Sequence, residues 1–362
     1  MTRSEALSRL LAETGFADAE RKPLAGDAST RRYERLTLGG RKAVLMDAPP
    51  SAEAPPCPAG ATVAERRSLG WNATARLAAS RVEAFAAVAG HLKSIGLNTP
   101  EIYGVDLDAG YAILEDLGDG LYARVIADGE AEEVSLYQEA ARVLAHAHAA
   151  PIPVRLEGPG GASWPLLDYD ALALEVNADL FVDWLPMAEP DIRIDDAQRA
   201  RWEKLRDSLI VKALGFPRAF TIRDYHAENL LWLPQREGLS RVGLLDFQDA
   251  IRGWRAWDFA MLLDDARRDV SPAAREAAIR AYLDASGAEE APFRRELAVL
   301  GALNTMRILG RFAQLSSDGK TKYAAFMPRE WGHLARALRH PSLEEARAFV
   351  EDVARPHLER AA

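Results

Sequence analysis

The sequence predicts an α+β fold of two lobes, a small β-rich lobe followed by a large helical one, and three observations carry that expectation. Short alternating apolar runs flank the helical pattern of Val82 to Ile95 within the first 114 residues. Helical spacing dominates from Leu121 onward. The two regimes meet at LEDLGDG, Leu114 to Gly120, where glycine and aspartate replace the strand pattern and mark a hinge. A chain of 362 residues is long enough for two lobes with a ligand cleft between them.

The elements follow in order. MTRSEALSRLLAETGF sets leucines at helical spacing among charges. Tyr33 to Leu38 and Lys42 to Met46 flank Gly39-Gly40, a pair suited to the positive φ angles of a tight hairpin turn, so two antiparallel strands are expected. Asp47 to Gly60 crowds Ala, Pro and Gly as a loop or flap does. Val82 to Ile95 repeats apolar residues every three or four positions and stops at Gly96, which predicts a helix. Short strands follow at Ile102 to Val105 and Tyr111 to Leu114. Helices are then expected over Val134 to Ala149, Tyr169 to Trp184, Asp196 to Ala213 and beyond Pro272. This gives an N-lobe over 1–114, a hinge over 115–120 and a C-lobe over 121–362.

Composition narrows the function. A net charge of -9 opposes general affinity for nucleic acid or an anionic membrane, both of which need concentrated positive potential. The lone Cys57, in a Pro-rich loop, excludes an internal disulfide framework and a multi-cysteine zinc site, and reads as an incidental thiol. Uninterrupted apolar runs fall short of the roughly 18 residues that span a bilayer. A soluble, cytoplasmic, monomeric protein acting on a small molecule is therefore expected.

The chemistry concentrates in Ile222-Arg-Asp-Tyr-His-Ala-Glu-Asn229, followed by Leu230 to Leu233, a polar stretch, Val242 to Leu245 and Asp246-Phe247. If the two apolar runs pair as a hairpin, Asn229 and Asp246 emerge at the same end, and Asp224 on the entering loop reaches the same place. Three oxygen-bearing side chains at a strand end suit Mg²⁺, which keeps waters and substrate phosphates among its ligands. Phosphoryl transfer needs one carboxylate to orient the acceptor hydroxyl, here Asp224, and others to hold metal, here Asn229 and Asp246.

D-x-x-x-x-N followed by a hairpin and L-D-F resembles the aminoglycoside phosphotransferase and choline kinase branch of the protein-kinase-like superfamily, over nearly the whole chain. Within it the chain most resembles bacterial N-acetylmuramate/N-acetylglucosamine anomeric kinases of cell-wall sugar recycling. The matching segments include GDASTRRYERL, VLMDAPP, GLNTPEIYGVD, RDYHAENLLWL, GLLDFQDAIRG and MRILGRFAQLSSDGKTKYAAFMPR. The resemblance implies ATP and Mg²⁺ as cofactors and phosphorylation of the anomeric hydroxyl of either sugar. It also implies that Gly26 to Arg32 covers the nucleotide phosphates, with Gly26, Ser29, Arg31 and Arg32 in contact, although an ordinary hairpin loop accounts equally for those residues. The backbone near Glu115 and Leu117 would receive adenine. On the acceptor side it implies Glu175 and His226, with Arg223, Arg252 and Arg255 near enough to welcome an acidic sugar. A solvated helix Glu and a capped loop His are the plain alternatives. Trp184 is either a sugar platform or core.

Two positions depart from the wider pattern. Met46 stands where many kinases carry a phosphate-pairing lysine, for which Lys42, Arg31 or Arg32 are substitutes. Ile222 replaces the histidine that usually precedes the catalytic loop. Aminoglycosides or other hydroxyl compounds as acceptors, and a catalytically silent kinase-shaped binding protein, are the competing readings. Asp258 reads as a buried brace for the catalytic loop.

Overall fold

The computed structural model describes residues 2–24, 30–50, 57–58, 60–70, 77–78 and 81–361. It opens with helix α1 (Arg3–Glu13), started by a Thr2/Glu5 capping box in which each residue satisfies a backbone N–H of the other. Strands β1 (Glu20–Pro23), β2 (Arg32–Leu38) and β3 (Arg41–Asp47) follow. Helices α2 (Val63–Leu69) and α3 (Val82–Ser94) then precede β4 (Ile102–Asp106) and β5 (Tyr111–Glu115). The five strands form one antiparallel sheet in the order β1-β2-β3-β5-β4. Gly39 and Gly40, at φ 55° and 82°, make the β2–β3 turn that the sequence anticipates.

The side-chain period of two divides this sheet cleanly. Leu36, Ala43, Leu45, Tyr111 and Ile113 point to the face covered by Ala6, Leu10 and Leu11 of α1. Met46, Ala112 and Leu114 point to the other face and join the main core with α3. Each fully buried Leu there contributes about 1.5–3 kcal/mol, and the two faces explain why both the helix and the cleft side stay attached to one sheet.

The remainder is mostly helical: α4 (Tyr122–Ala127), α5 (Glu133–Ala149), α6 (Ala171–Ala188), α7 (Asp196–Leu214), α8 (Arg255–Leu263), α9 (Pro272–Ser286), α10 (Glu290–Ser317), α11 (Met327–Ala337) and α12 (Glu344–Ala361). A small-sheet region and a large helical region thus follow each other as expected. Short strands that periodicity does not reveal lie within the helical part: β6 (Arg155–Glu157) and β7 (Ser163–Pro165) pair, while β8 (Leu167–Asp168), β9 (Arg218–Thr221) and β12 (Ile251–Trp254) form a second sheet. Between them, β10 (Leu230–Trp232) and β11 (Val242–Leu244) pair antiparallel, Leu230 against Leu244.

Helices α6 and α10 meet at Gly310, where a Cβ would lie 2.2 Å from the backbone of Leu180. Only glycine permits that approach, and it seats α10 closely on α6. Among the described residues, no helix is long and apolar enough to cross a membrane.

Candidate active site

Strand β9 delivers the catalytic loop, and the loop's shape is held from below. Ile222 and Arg223 donate their backbone N–H groups to Asp258 at 2.9 and 2.7 Å. Asp258 is fully buried in the first turn of α8, where His148 Nε2 also lies 3.1 Å from it. The expected brace is therefore what Asp258 is. Arg223, at φ 81°, and Asp246, at φ 53°, are the non-glycine residues with left-handed backbones among those described. Such backbones cost on the order of 1–3 kcal/mol and persist only where surrounding bonds over-determine them. Tyr225 pins the loop further by donating to the Ala140 carbonyl at 2.9 Å.

Across the β10–β11 hairpin, Leu245 N–H donates to the Asn229 carbonyl at 2.9 Å, so Asn229 and Asp246 do emerge at one end. The Asn229 side-chain NH₂ donates to the Asp224 carbonyl at 2.9 Å and meets His226 Nε2 at 3.2 Å. With its NH₂ engaged, the amide oxygen is the atom left for a ligand. Asp246 accepts from Gln248 Nε2 at 3.1 Å and from the Arg31 guanidinium, which also donates to Gln248 Oε1 at 2.8 Å. Removal from water works to raise the Asp246 pKa, yet Arg31 and Gln248 outweigh it and hold the carboxyl below the ordinary range. The donors at this end are a carboxylate and an amide oxygen, a set that fits Mg²⁺, and the guanidinium on Asp246 marks a place where positive charge is favoured.

Two cavities meet here. The larger, about 600 Å³, lies under the sheet, with Val44, Phe85, Leu114, Leu231 and Leu245 as apolar walls and Asp246 at its inner end. Glu115, Asp116 and Leu117 edge it. Arg35 is tied to Asp116 and Asp119 at 2.7 and 2.9 Å, and Arg236 to Glu115 at 2.5 Å. The Glu115 N–H is spent on the Glu101 carbonyl at 2.7 Å, and Leu117 lies at the same cavity edge. The smaller cavity, about 270 Å³, is lined by Asp224, Asp265, Arg267, Arg307, Arg311 and Phe312 among others. His226 and Asp246 belong to both.

The structure thus brings Asp224, His226, Asn229, Asp246, Arg31, Glu115 and Leu117 to the two cavities. Gly26 and Ser29 lie outside the described residues. Arg32 is exposed and lines neither cavity. Two residues expected on the acceptor side lie away from the two cavities. Glu175 also lines neither cavity; its carboxylate is held by Arg67 at 2.7 Å and approached by Arg206 at 3.9 Å. Arg223 is buried beneath the loop, 3.7 Å from Asp249 and over the Tyr169 ring, so its charge serves the scaffold. Arg255 is spent on Glu296 at 2.6 Å, and Trp184 packs against the core. Met46 is fully buried and Lys42 exposed, so of the named substitutes for the missing lysine it is Arg31 that reaches Asp246. Arg307 and Arg311 were not singled out from sequence, because arginines four apart on a helix read as a solvated face.

A sheet-roofed cavity that ends on an Asn/Asp pair, with a loop carboxylate facing a second pocket, defines a phosphotransferase of the kinase-like fold. The match agrees: the model of the phosphotransferase enzyme family covers residues 20–297, and the chain belongs to that family. Among curated proteins it is similar to the N-acetylmuramate/N-acetylglucosamine kinase of Caulobacter vibrioides, 48% identical over 96% of both chains. It is also 30% identical to the enzyme of the same name from Pseudomonas aeruginosa, over 90% of this chain and 86% of that one. In fold it resembles the aminoglycoside phosphotransferase APH(2'')-Ib in its ADP-bound form, with TM-score 0.53, 15% identity and coverage of 92% and 98%.

Proposed function

We propose that this chain transfers the γ-phosphoryl group of ATP to the anomeric hydroxyl of N-acetylmuramate or N-acetylglucosamine, as a sugar 1-kinase of peptidoglycan recycling. The carrying observation is that Asp224 opens into a separate small pocket that joins the Asn229/Asp246 end of the larger cavity. Near-full-length similarity to two kinases named for these sugars supports the choice of acceptor.

In this reading residues 1–114 roof the nucleotide, 115–120 act as hinge and 121–362 carry the acceptor site. Adenine lies among Val44, Leu114 and Leu231 and meets the Leu117 amide. Asp224 accepts the proton of the sugar hydroxyl as that oxygen forms its bond to the γ-phosphorus, while the bond from phosphorus to the bridging oxygen breaks and ADP leaves with the electron pair. Asn229 and Asp246 are the residues that hold Mg²⁺. When bound, the ion supplies charge neutralisation for the phosphate oxygens. Arg31 supplies further positive charge at this end, in place of the lysine that Met46 lacks.

The test is an acceptor screen with purified protein, ATP and Mg²⁺, in which product NMR locates the phosphate. The expected product is the 1-phosphate of one or both sugars, and Asp224→Asn should lower kcat by roughly 10²–10⁴-fold. Transfer to kanamycin-like compounds with neither sugar modified would sink the proposal.

A further inference from the structure

Arg307 and Arg311 stand one turn apart on α10 and share the wall of the smaller cavity with Asp224. Both are only partly exposed, yet among the described residues neither has a carboxylate within 4.0 Å. Arg307 donates to the Asn304 amide oxygen at 2.8 and 3.0 Å and lies over the Trp257 ring. Arg311 donates to the Gln314 amide oxygen. Their polar partners are therefore neutral.

That condition is costly in itself. Taking a guanidinium out of water without an anionic partner incurs a desolvation cost that a fold has no reason to retain for stability. Burial lowers the pKa of both arginines, which remain protonated at neutral pH. The nearby acids attract without pairing: Asp224 and Glu330 act on Arg307 and Asp318 on Arg311, among the described residues from beyond 4.0 Å. Asp264 is occupied by Arg275 and Arg336 at 2.6 and 2.9 Å, and Asp246 by Arg31. Asp265 uses one oxygen on the Arg267 N–H at 2.9 Å, and its other oxygen is buried without a partner, a place for a hydroxyl or amide donor of a ligand. Ile308 and Phe312, on the same stretch of α10, give this wall an apolar strip beside its two cations.

We propose that Arg307 and Arg311 form an anion subsite in the acceptor pocket that receives the carboxylate of an acidic amino sugar. The proposal rests on the amino-sugar kinase reading and adds to it the group that discriminates between the two candidate acceptors. N-Acetylmuramate carries a lactyl ether carboxylate, and N-acetylglucosamine carries a hydroxyl at the same position. The strip of Ile308 and Phe312 suits the lactyl methyl group. Gly310 lies between the two arginines in sequence and seats α10 against α6, and the same pocket is lined by both arginines and Asp224. The subsite thus selects the acid by fixed charge on one helix, in a pocket that Asp224, Asp246, Asp264 and Asp265 also line.

The experiment compares kcat/KM for N-acetylmuramate, its carboxyl methyl ester and N-acetylglucosamine, using the wild type, Arg311→Gln and Arg311→Lys at saturating Mg²⁺–ATP. A charge-assisted bond of this kind corresponds to roughly 10- to 100-fold in rate. The preference of the wild type for the acid over its ester should be of that size, should collapse in Arg311→Gln and should return in part in Arg311→Lys. Equal use of acid and ester by the wild type overturns the subsite, and this arm needs no variant to fold. So does an equal loss for all three acceptors, or a rise in the KM for ATP, which would place the pair on the phosphates. A wild type that phosphorylates neither sugar overturns the kinase reading itself, and the subsite with it.

Discussion

Arginines wall both cavities, but the two sets are in opposite electrostatic conditions. On the sheet side Arg31 and Arg35 rest on acids, namely Asp246 and the Asp116/Asp119 pair, and Arg236, outside the lining, rests on Glu115. On the α10 side Arg307 and Arg311 rest on amide oxygens. A paired guanidinium is part of the fold, and removing its acid leaves a charge stranded. One without an acid is charge held ready for something that arrives from outside. The difference teaches that exposure alone does not separate structural from ligand-seeking cations; the identity of the partner does.

The largest expected effect breaks the sheet-side condition. Asp246→Ala removes a proposed metal ligand and strands Arg31, so turnover should fall by about 10³-fold and the thermal stabilisation given by Mg²⁺–ATP should vanish. Retained turnover would show that the acid serves only Arg31. Next in size, Asp258→Ala leaves the Ile222 and Arg223 N–H groups buried without an acceptor, at about 2–5 kcal/mol read from denaturant unfolding. A loss below about 1 kcal/mol would mean that the loop's left-handed turn is held by other bonds.

The smallest effect concerns the acid behind the α10 side. Glu330 is fully buried with both carboxyl oxygens unpartnered, and burial, then Asp264 and Asp265, push its pKa well above the ordinary glutamate value of 4.5. The folded chain keeps a proton there that the unfolded chain releases above 4.5, so this residue's contribution is intact below that pH and is lost as pH rises towards the folded value. Glu330→Gln removes the dependence. Its stability relative to wild type should climb with pH by at most about 1.4 kcal/mol per unit, measured by unfolding at pH 5, 6 and 7. Parallel pH profiles would show that Glu330 is ionised in the fold.

Much of this is legible in sequence where the cause is local. Gly39-Gly40 between two β-patterned runs, the helix that stops at Gly96 and the hairpin that carries Asn229 and Asp246 all rest on short-range rules of turn geometry and side-chain period. The sheet of β8, β9 and β12 is not legible, because strands of two to four residues carry too little pattern and pair over long separations. The same holds for the Arg31–Asp246 contact, between residues 215 apart. The partners of Glu175 and Arg223 are not legible for a related reason: Arg67 comes from a distant helix, and which way the Arg223 side chain points depends on how Asp258 holds the backbone beneath it.

The ring of Phe85 on α3 stacks on Phe247, the neighbour of Asp246, with centroids 4.9 Å apart. Glu83 on the same helix is engaged with Arg81 at 3.5 Å, and Met46 offers no cation to the helix. The tie between helix and acid is thus a contact of two apolar faces. Ionic strength weakens exposed charge pairs, most strongly beyond a Debye length of about 8 Å at 0.15 M salt, but does not screen such a stack, and sulfate or phosphate salts tighten it. Alignment of Asp246 with this helix accordingly rests on a contact that added salt does not loosen, as it would loosen an exposed lysine–glutamate pair.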